Sequence, residues 1–189
     1  MTLLLNFFGT KVAAALLGGW VLFGHSAKAP SLSPPQMASS TGRIVVSTTL
    51  RNGFSDDLNQ VILTGTPVTL TFSAALLDDT KSLIEQESHH TVTYDPGTKA
   101  FCVIADSETK TTNDQQTMQS WLTTLTNFSL LETSALRAEG SYRAVVQARL
   151  EPISVEAAEG KKFDLMTFWQ FRIPKAQSEA IPGTTFLGR

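Results

Sequence analysis

A mostly β fold, an antiparallel β-sandwich over residues 42–175, is the class this sequence predicts, with one amphipathic helix at about 113–127 and a short candidate helix at about 56–64. Three observations predict it. "PVTLTFSAALL" alternates Val68, Leu70, Phe72, Ala74 and Leu76 against Thr69, Thr71 and Ser73, and "SYRAVVQARLE" repeats the pattern with Tyr142, Ala144, Val146, Ala148 and Leu150. Strands with one apolar face belong to antiparallel sheets that are solvated on the other. Third, "TVTYDPGTKAF" puts Asp-Pro-Gly-Thr between two β-branched runs, the turn chemistry of a hairpin in which Pro96 presets one dihedral and Gly97 supplies positive φ.

The chain order supports this reading. "RIVVSTTLR" alternates Ile44, Val46 and Leu50 on one face, which marks a first strand. In "SDDLNQVILTG", Ser55 is placed to cap a helix, Asp56 and Asp57 suit its positive end, Leu58, Val61 and Ile62 share a face, and Gly65 fits a left-handed stop. The two aspartates therefore have a structural role, and their spacing is not that of a calcium loop. Met118, Trp121, Leu122 and Leu125 recur at the spacing of a helix stripe docked on a sheet, with Asn113 as cap, Gln116 reaching back and Asn127 as stop. "FWQFRIP" reads as a late strand with Trp169, Phe171 and Ile173 on one face. Residues 78–88 fit either a turn with a short helix or a long irregular strand.

Upstream, Lys11 precedes an uncharged run from Val12 to Phe23 that has the length of a signal-peptide core. Ala27-Lys28-Ala29 has a small-x-small cleavage pattern, but Pro30 follows it, and proline fits poorly after a scissile bond. Residues 1–29 thus read as a signal peptide or an N-terminal membrane anchor, 30–41 as a Pro/Ser-rich linker, and 176–189 as a C-terminal tail. The expected location is exported and periplasmic, tethered to the inner membrane if the segment is uncleaved.

The chain has 189 residues and a net charge of −2, which offers no basic face for nucleic acid. Its three histidines are His25, His89 and His90, and its one cysteine is Cys102. With a loop of two or four residues, His90, Val92 and Tyr94 share a face with Phe101 and Val103, while His89, Thr91 and Thr93 share the other with Cys102 and Ile104. A three-residue bulged loop reverses that pairing. Zinc would need three or four ligands, and beyond His89 and Cys102 only Asp106 is near in sequence. Cys102, in the apolar run "AFCVIA", reads as a buried, inert thiol. A Ser/His/Asp triad would depend on His89 or His90, and the carboxylates Glu85, Glu87 and Asp106 are scattered. No phosphate loop, nucleophile elbow, dinucleotide fingerprint or His-Glu-x-x-His helix occurs in the sequence. No catalytic, cofactor-binding or metal residue is designated, and no cofactor is expected.

The Gly65–Leu76 strand, the Tyr94–Phe101 hairpin, the Trp helix, the Leu136–Leu150 segment with its Gly and Tyr, and the late Trp strand together resemble the bacterial envelope proteins of domain-of-unknown-function family 4390, over about residues 42–175. The segment after Pro152 departs from the proline-bearing stretch expected of that family. The resemblance implies an envelope setting and carries no catalytic residue. The expectation is a non-enzymatic interaction or ligand-binding module whose partner is another envelope or inner-membrane protein. The alternative is an envelope hydrolase with a sparse carboxylate/His site.

Overall fold

Period-two alternation builds the largest of three sheets among the described residues. The structure, a computed structural model, describes residues 28–79, 81–155 and 161–187. Strands β4 (Val68–Asp78) and β5 (Lys81–Asp95) pair antiparallel, with Leu70 opposite His90 and Phe72 opposite Ser88. β9 (Ser141–Leu150) lies on the other side of β4, and β6 (Ala100–Ala105) followed by β7 (Glu108–Thr112) extends the sheet beyond β5. β12 (Lys175–Gln177) and β13 (Ile181–Pro182) both pair with β9 and complete this sheet, while β10 (Ile153–Val155) and β11 (Lys161–Phe163) pair antiparallel as a separate two-stranded ribbon. Residues 78–88, open between two readings in the sequence, are thus mostly strand, with a bulge between Leu76 and Leu77.

The four-stranded sheet is centred on β3 (Arg43–Arg51), flanked by β1 (Ser31–Leu32), β2 (Gln36–Ser40) and β8 (Thr124–Glu132). Ile44, Val46 and Leu50 of β3 and Leu125 and Leu130 of β8 join one buried cluster with the apolar faces of β4 and β9. Helix α1 (Asp56–Leu63) adds Leu58, Val61 and Ile62, and α2 (Gln115–Thr123) adds Met118 and Leu122. Phe72, wholly buried at the centre, is worth about 3–5 kcal/mol against alanine at such a site.

Ser55 caps α1 by accepting from the Leu58 N–H at 3.2 Å, and Gly65 takes φ +86° just past its end, as the sequence predicts. In the hairpin Asp95 pairs with Ala100, which leaves a four-residue loop and puts Tyr94 opposite Phe101. Lys99, at φ 55°, is its left-handed residue, in place of Gly97. Asp95 rigidifies the turn instead: its carboxylate accepts from the Gly97 N–H at 2.8 Å and the Thr98 hydroxyl at 2.9 Å, and these bonds hold its pKa below the usual value.

Five expectations are corrected. Residues 30–41 are not a linker: β1 and β2 pair with β3, and Pro35, between them, is buried. Prolines are tolerated there because they fall where the edge breaks, outside either ladder. The tail beyond 175 also folds onto β9 and ends in α3 (Gly183–Leu187), whose Phe186 is buried. Asp114, not Asn113, caps α2 by accepting from the Thr117 N–H at 2.7 Å, and no Gln116 bond completes a box among the described residues. That helix stops at Thr123, because the β-branched and apolar run that follows pairs with β3 as β8; Asn127 sits at φ 50° inside that strand. Finally, "FWQFRIP" is not a strand. Asp164 accepts from the Met166 N–H at 2.9 Å and starts a 3-10 turn over Leu165–Trp169, so Trp169 is buried while Phe171 and Ile173 are exposed. The expected signal peptide or anchor lies outside the described residues, except for Lys28 and Ala29.

Candidate functional site

Parity along β5 separates the adjacent histidines. His90 points inward and is 2% exposed; His89 points outward and is exposed. His90 packs edge-on against Phe72, with ring centroids 5.1 Å apart, and its Nδ1 lies 2.9 Å from the carbonyl oxygen of Leu122 at the end of α2. A carbonyl only accepts, so Nδ1 carries the proton. Burial lowers the His90 pKa from its ordinary value, opposed by the Leu122 bond and by the charge of Asp106, and the ring is held neutral. The remaining nitrogen, Nε2, is then a lone pair, and it has no hydrogen-bond partner among the described residues.

His90 lines a cleft of about 580 Å³. One wall is the β6–β7 turn with Asp106, Glu108 and Lys110; the other is the end of α2 and the start of β8, with Trp121 and Asn127. Asp106, at φ 52°, is fixed by its N–H to the His89 carbonyl at 3.3 Å and by accepting from the buried Ser88 hydroxyl at 2.7 Å. Lys110 pairs with Glu108 at 2.9 Å on the rim. The indole N–H of Trp121, half-buried, has no partner among the described residues. The cleft therefore offers an imidazole lone pair at its floor, an aromatic face with a free donor, and a mixed-charge rim.

The outer face of the same sheet carries a different set. Thr71 donates to Glu151 at 2.8 Å and contacts His89 Nδ1 at 2.9 Å. Arg149 donates to Glu151 at 3.0 Å and to Glu87 at 3.2 Å, and Ser73 donates to the same Glu87 oxygen at 3.0 Å. His89 Nε2 stands 3.9 Å from the other oxygen of Glu87. This network ties β4, β5, β9 and Glu151, just past β9, together across the outer face of the sheet.

Cys102 also lies on the outer face, opposite Thr93 and Thr111. It is only half-buried, which corrects the expectation of a buried thiol: the apolar letters around it belong alternately to the inner face. His89, Cys102 and Asp106 do not converge, and no group of three or more His, Cys, Asp or Glu residues is placed to hold a metal among the described residues. Glu85 is exposed on the outer face, and Asp56 and Asp57 occupy the first turn of α1. Sequence reasoning assigned Trp121 to the core, against which it packs half-buried while also lining the cleft, and did not join Asp106 to His90. The signal for both was the inward parity of residue 90, which aims it at the helix stripe.

Fold and site define a mostly β, antiparallel domain with a polar, aromatic-walled cleft at one end of its largest sheet. The sequence profile described as "Domain of unknown function (DUF4390)" matches residues 27–158, and the chain belongs to that family. The match begins before the 42–175 span of the resemblance and so takes in β1 and β2. Neither a curated protein nor a solved structure matches the chain.

Proposed function

We propose that this chain is an exported, periplasmic module of the bacterial cell envelope, tethered to the inner membrane by its N-terminal segment, that binds another envelope protein or a small ligand and catalyses no reaction. The observation that supports binding is the unpartnered His90 Nε2 at the floor of an open cleft. Asp78 Oδ1 is the one buried side-chain N or O atom without a partner among the described residues, so Nε2 is open to the cleft, where a ligand N–H or O–H can replace water as its donor. Trp121 supplies a face for an apolar or planar group beside that donor. With Asp106 and Glu108 against Lys110, the rim carries one excess negative charge, which favours neutral or cationic groups and disfavours nucleic acid. Export is supported by the apolar run Val12–Phe23.

The alternative, an envelope hydrolase, would draw on Glu87, His89 and Glu151. The Oε1 atoms of both glutamates already accept from Arg149 and from a serine or threonine hydroxyl, the arrangement of a cross-strand tie.

The test is site-specific photocrosslinking in intact cells, with a photoreactive residue at Ser107 on the cleft rim or at Ser73 on the outer face. A discrete adduct from Ser107 that is lost on Trp121→Ala, with none from Ser73, is the expected result. Ester, peptide or glycoside turnover by the purified protein that disappears with His89→Ala would favour the hydrolase.

A further inference from the structure

The turn after Trp169 adopts a costly backbone and gains no burial from it. Gln170 and Phe171 are consecutive left-handed residues, at φ 53° and 57°, a region a bulky L-residue enters only when its surroundings force it. Three bonds force it here: Gln170 N–H to Thr167 at 3.0 Å, Phe171 N–H to Met166 at 2.9 Å, and Arg172 N–H to Trp169 at 3.0 Å. Below them Trp169 is locked by its indole N–H to the Gly53 carbonyl at 2.8 Å. On this rigid base Phe171 is 65% exposed and Ile173 57% exposed, more than any other large apolar side chain among the described residues.

The same surface reverses the sign of the chain. A hollow of about 260 Å³ beside the turn is lined by both Lys28 and Arg172 and by no acidic residue, although the whole chain carries −2. Lys28 follows the apolar run ending at Phe23 by five residues, 24–28, a length of chain that can span at most about 18 Å. A surface of exposed apolar tips and cations thus begins where the hydrophobic segment ends.

We propose that Phe171 and Ile173, flanked by Arg172 and Lys28, seat the folded domain on an anionic bilayer. The apolar tips enter the headgroup region, and the cations meet lipid phosphates. The occupant is the lipid surface in which the run Val12–Phe23 is held; this rests on the export reading above and shares no residue with the cleft at His90.

The experiment uses the full chain reconstituted into vesicles of phosphatidylcholine containing phosphatidylglycerol. In a Cys102→Ser background, an environment-sensitive fluorophore is attached at Phe171→Cys or, as control, at Ile104→Cys on the outer face of β6. The expected result is blue-shifted emission and protection from aqueous iodide at 171 and neither at 104, with protection at 171 lost on Lys28→Glu with Arg172→Glu. If the chain floats with vesicles but 171 is quenched as readily as 104, the seating is overturned and the anchor stands. A chain that does not float removes both. Protection at 171 in native membranes but not in pure lipid assigns the surface to a protein and overturns the lipid assignment. A second variant guards against misfolding: Phe171→Gly relieves the left-handed strain, so it is expected to raise the unfolding midpoint while abolishing protection of a label at Ile173→Cys. A lowered midpoint would make Phe171 structural and overturn the proposal.

Discussion

The two faces of β5 differ by one residue of register and almost everything else. On the inner face His90 is packed on Phe72, tied to a helix carbonyl and held neutral; on the outer face His89 is exposed and contacts Thr71 and Glu87. The same side chain is a fixed lone pair on one side and a surface tie on the other. Chemistry here is assigned by parity before it is assigned by residue type.

The largest blow to this contrast is Phe72→Ala, which removes the ring under His90. We expect a loss of about 3–5 kcal/mol in urea unfolding, with the cleft disrupted along with the core. His90→Gln comes next, at about 1–3 kcal/mol, because it breaks the bond to the buried Leu122 carbonyl. It also carries a pH signature. The folded state holds His90 below its ordinary pKa of 6.5, so the unfolded chain takes up the proton first. The stability contributed by neutral His90 is complete above 6.5 and is lost as pH falls through 6.5 toward the lower folded value. Unfolding midpoints of wild type and His90→Gln should therefore converge in acid, and a gap that stays constant between pH 7 and 5 would contradict a buried neutral ring.

On the outer face, Glu87→Gln is expected to cost under about 1 kcal/mol, and less in high salt, since its partners Arg149 and His89 are solvent-exposed. Smallest is Cys102→Ser, within about 0.5 kcal/mol, because the new hydroxyl sits between Thr93 and Thr111 rather than in the core. A loss of several kcal/mol there would put Cys102 on the wrong face.

What was legible in the sequence was local. Alternation placed β4, β9 and the inner residues of the hairpin, and Ser55 with Gly65 bounded α1, because each signal lies within one element. Leu125 was correctly read as buried although it belongs to β8 rather than to the helix; one apolar residue satisfies either period. "FWQFRIP" misled for the same reason, since three alternating residues do not outweigh a capping Asp164 one turn earlier. The short strands of residues 31–40 owe their existence to β3, not to their own composition. The cleft was not legible, because His90, Asp106, Trp121 and Asn127 come from four separate elements or turns and share no spacing.

The closure of β9 by β12 and β13 bears on how the chain is made. β9 lies between β4 and this late pair, so its outer ladder stays unpaired until residues 175–182 have been synthesised. Ser178 reaches back to Ala144 with its hydroxyl at 3.0 Å, and Gly183 passes so close to the Arg137 carbonyl that an added Cβ would lie 2.0 Å from it, so the seal needs its own residues in register. Until then the nascent sheet presents a bare edge of ten residues, Ser141–Leu150, to any neighbouring strand, and escape from self-association during synthesis depends on how soon those late residues follow.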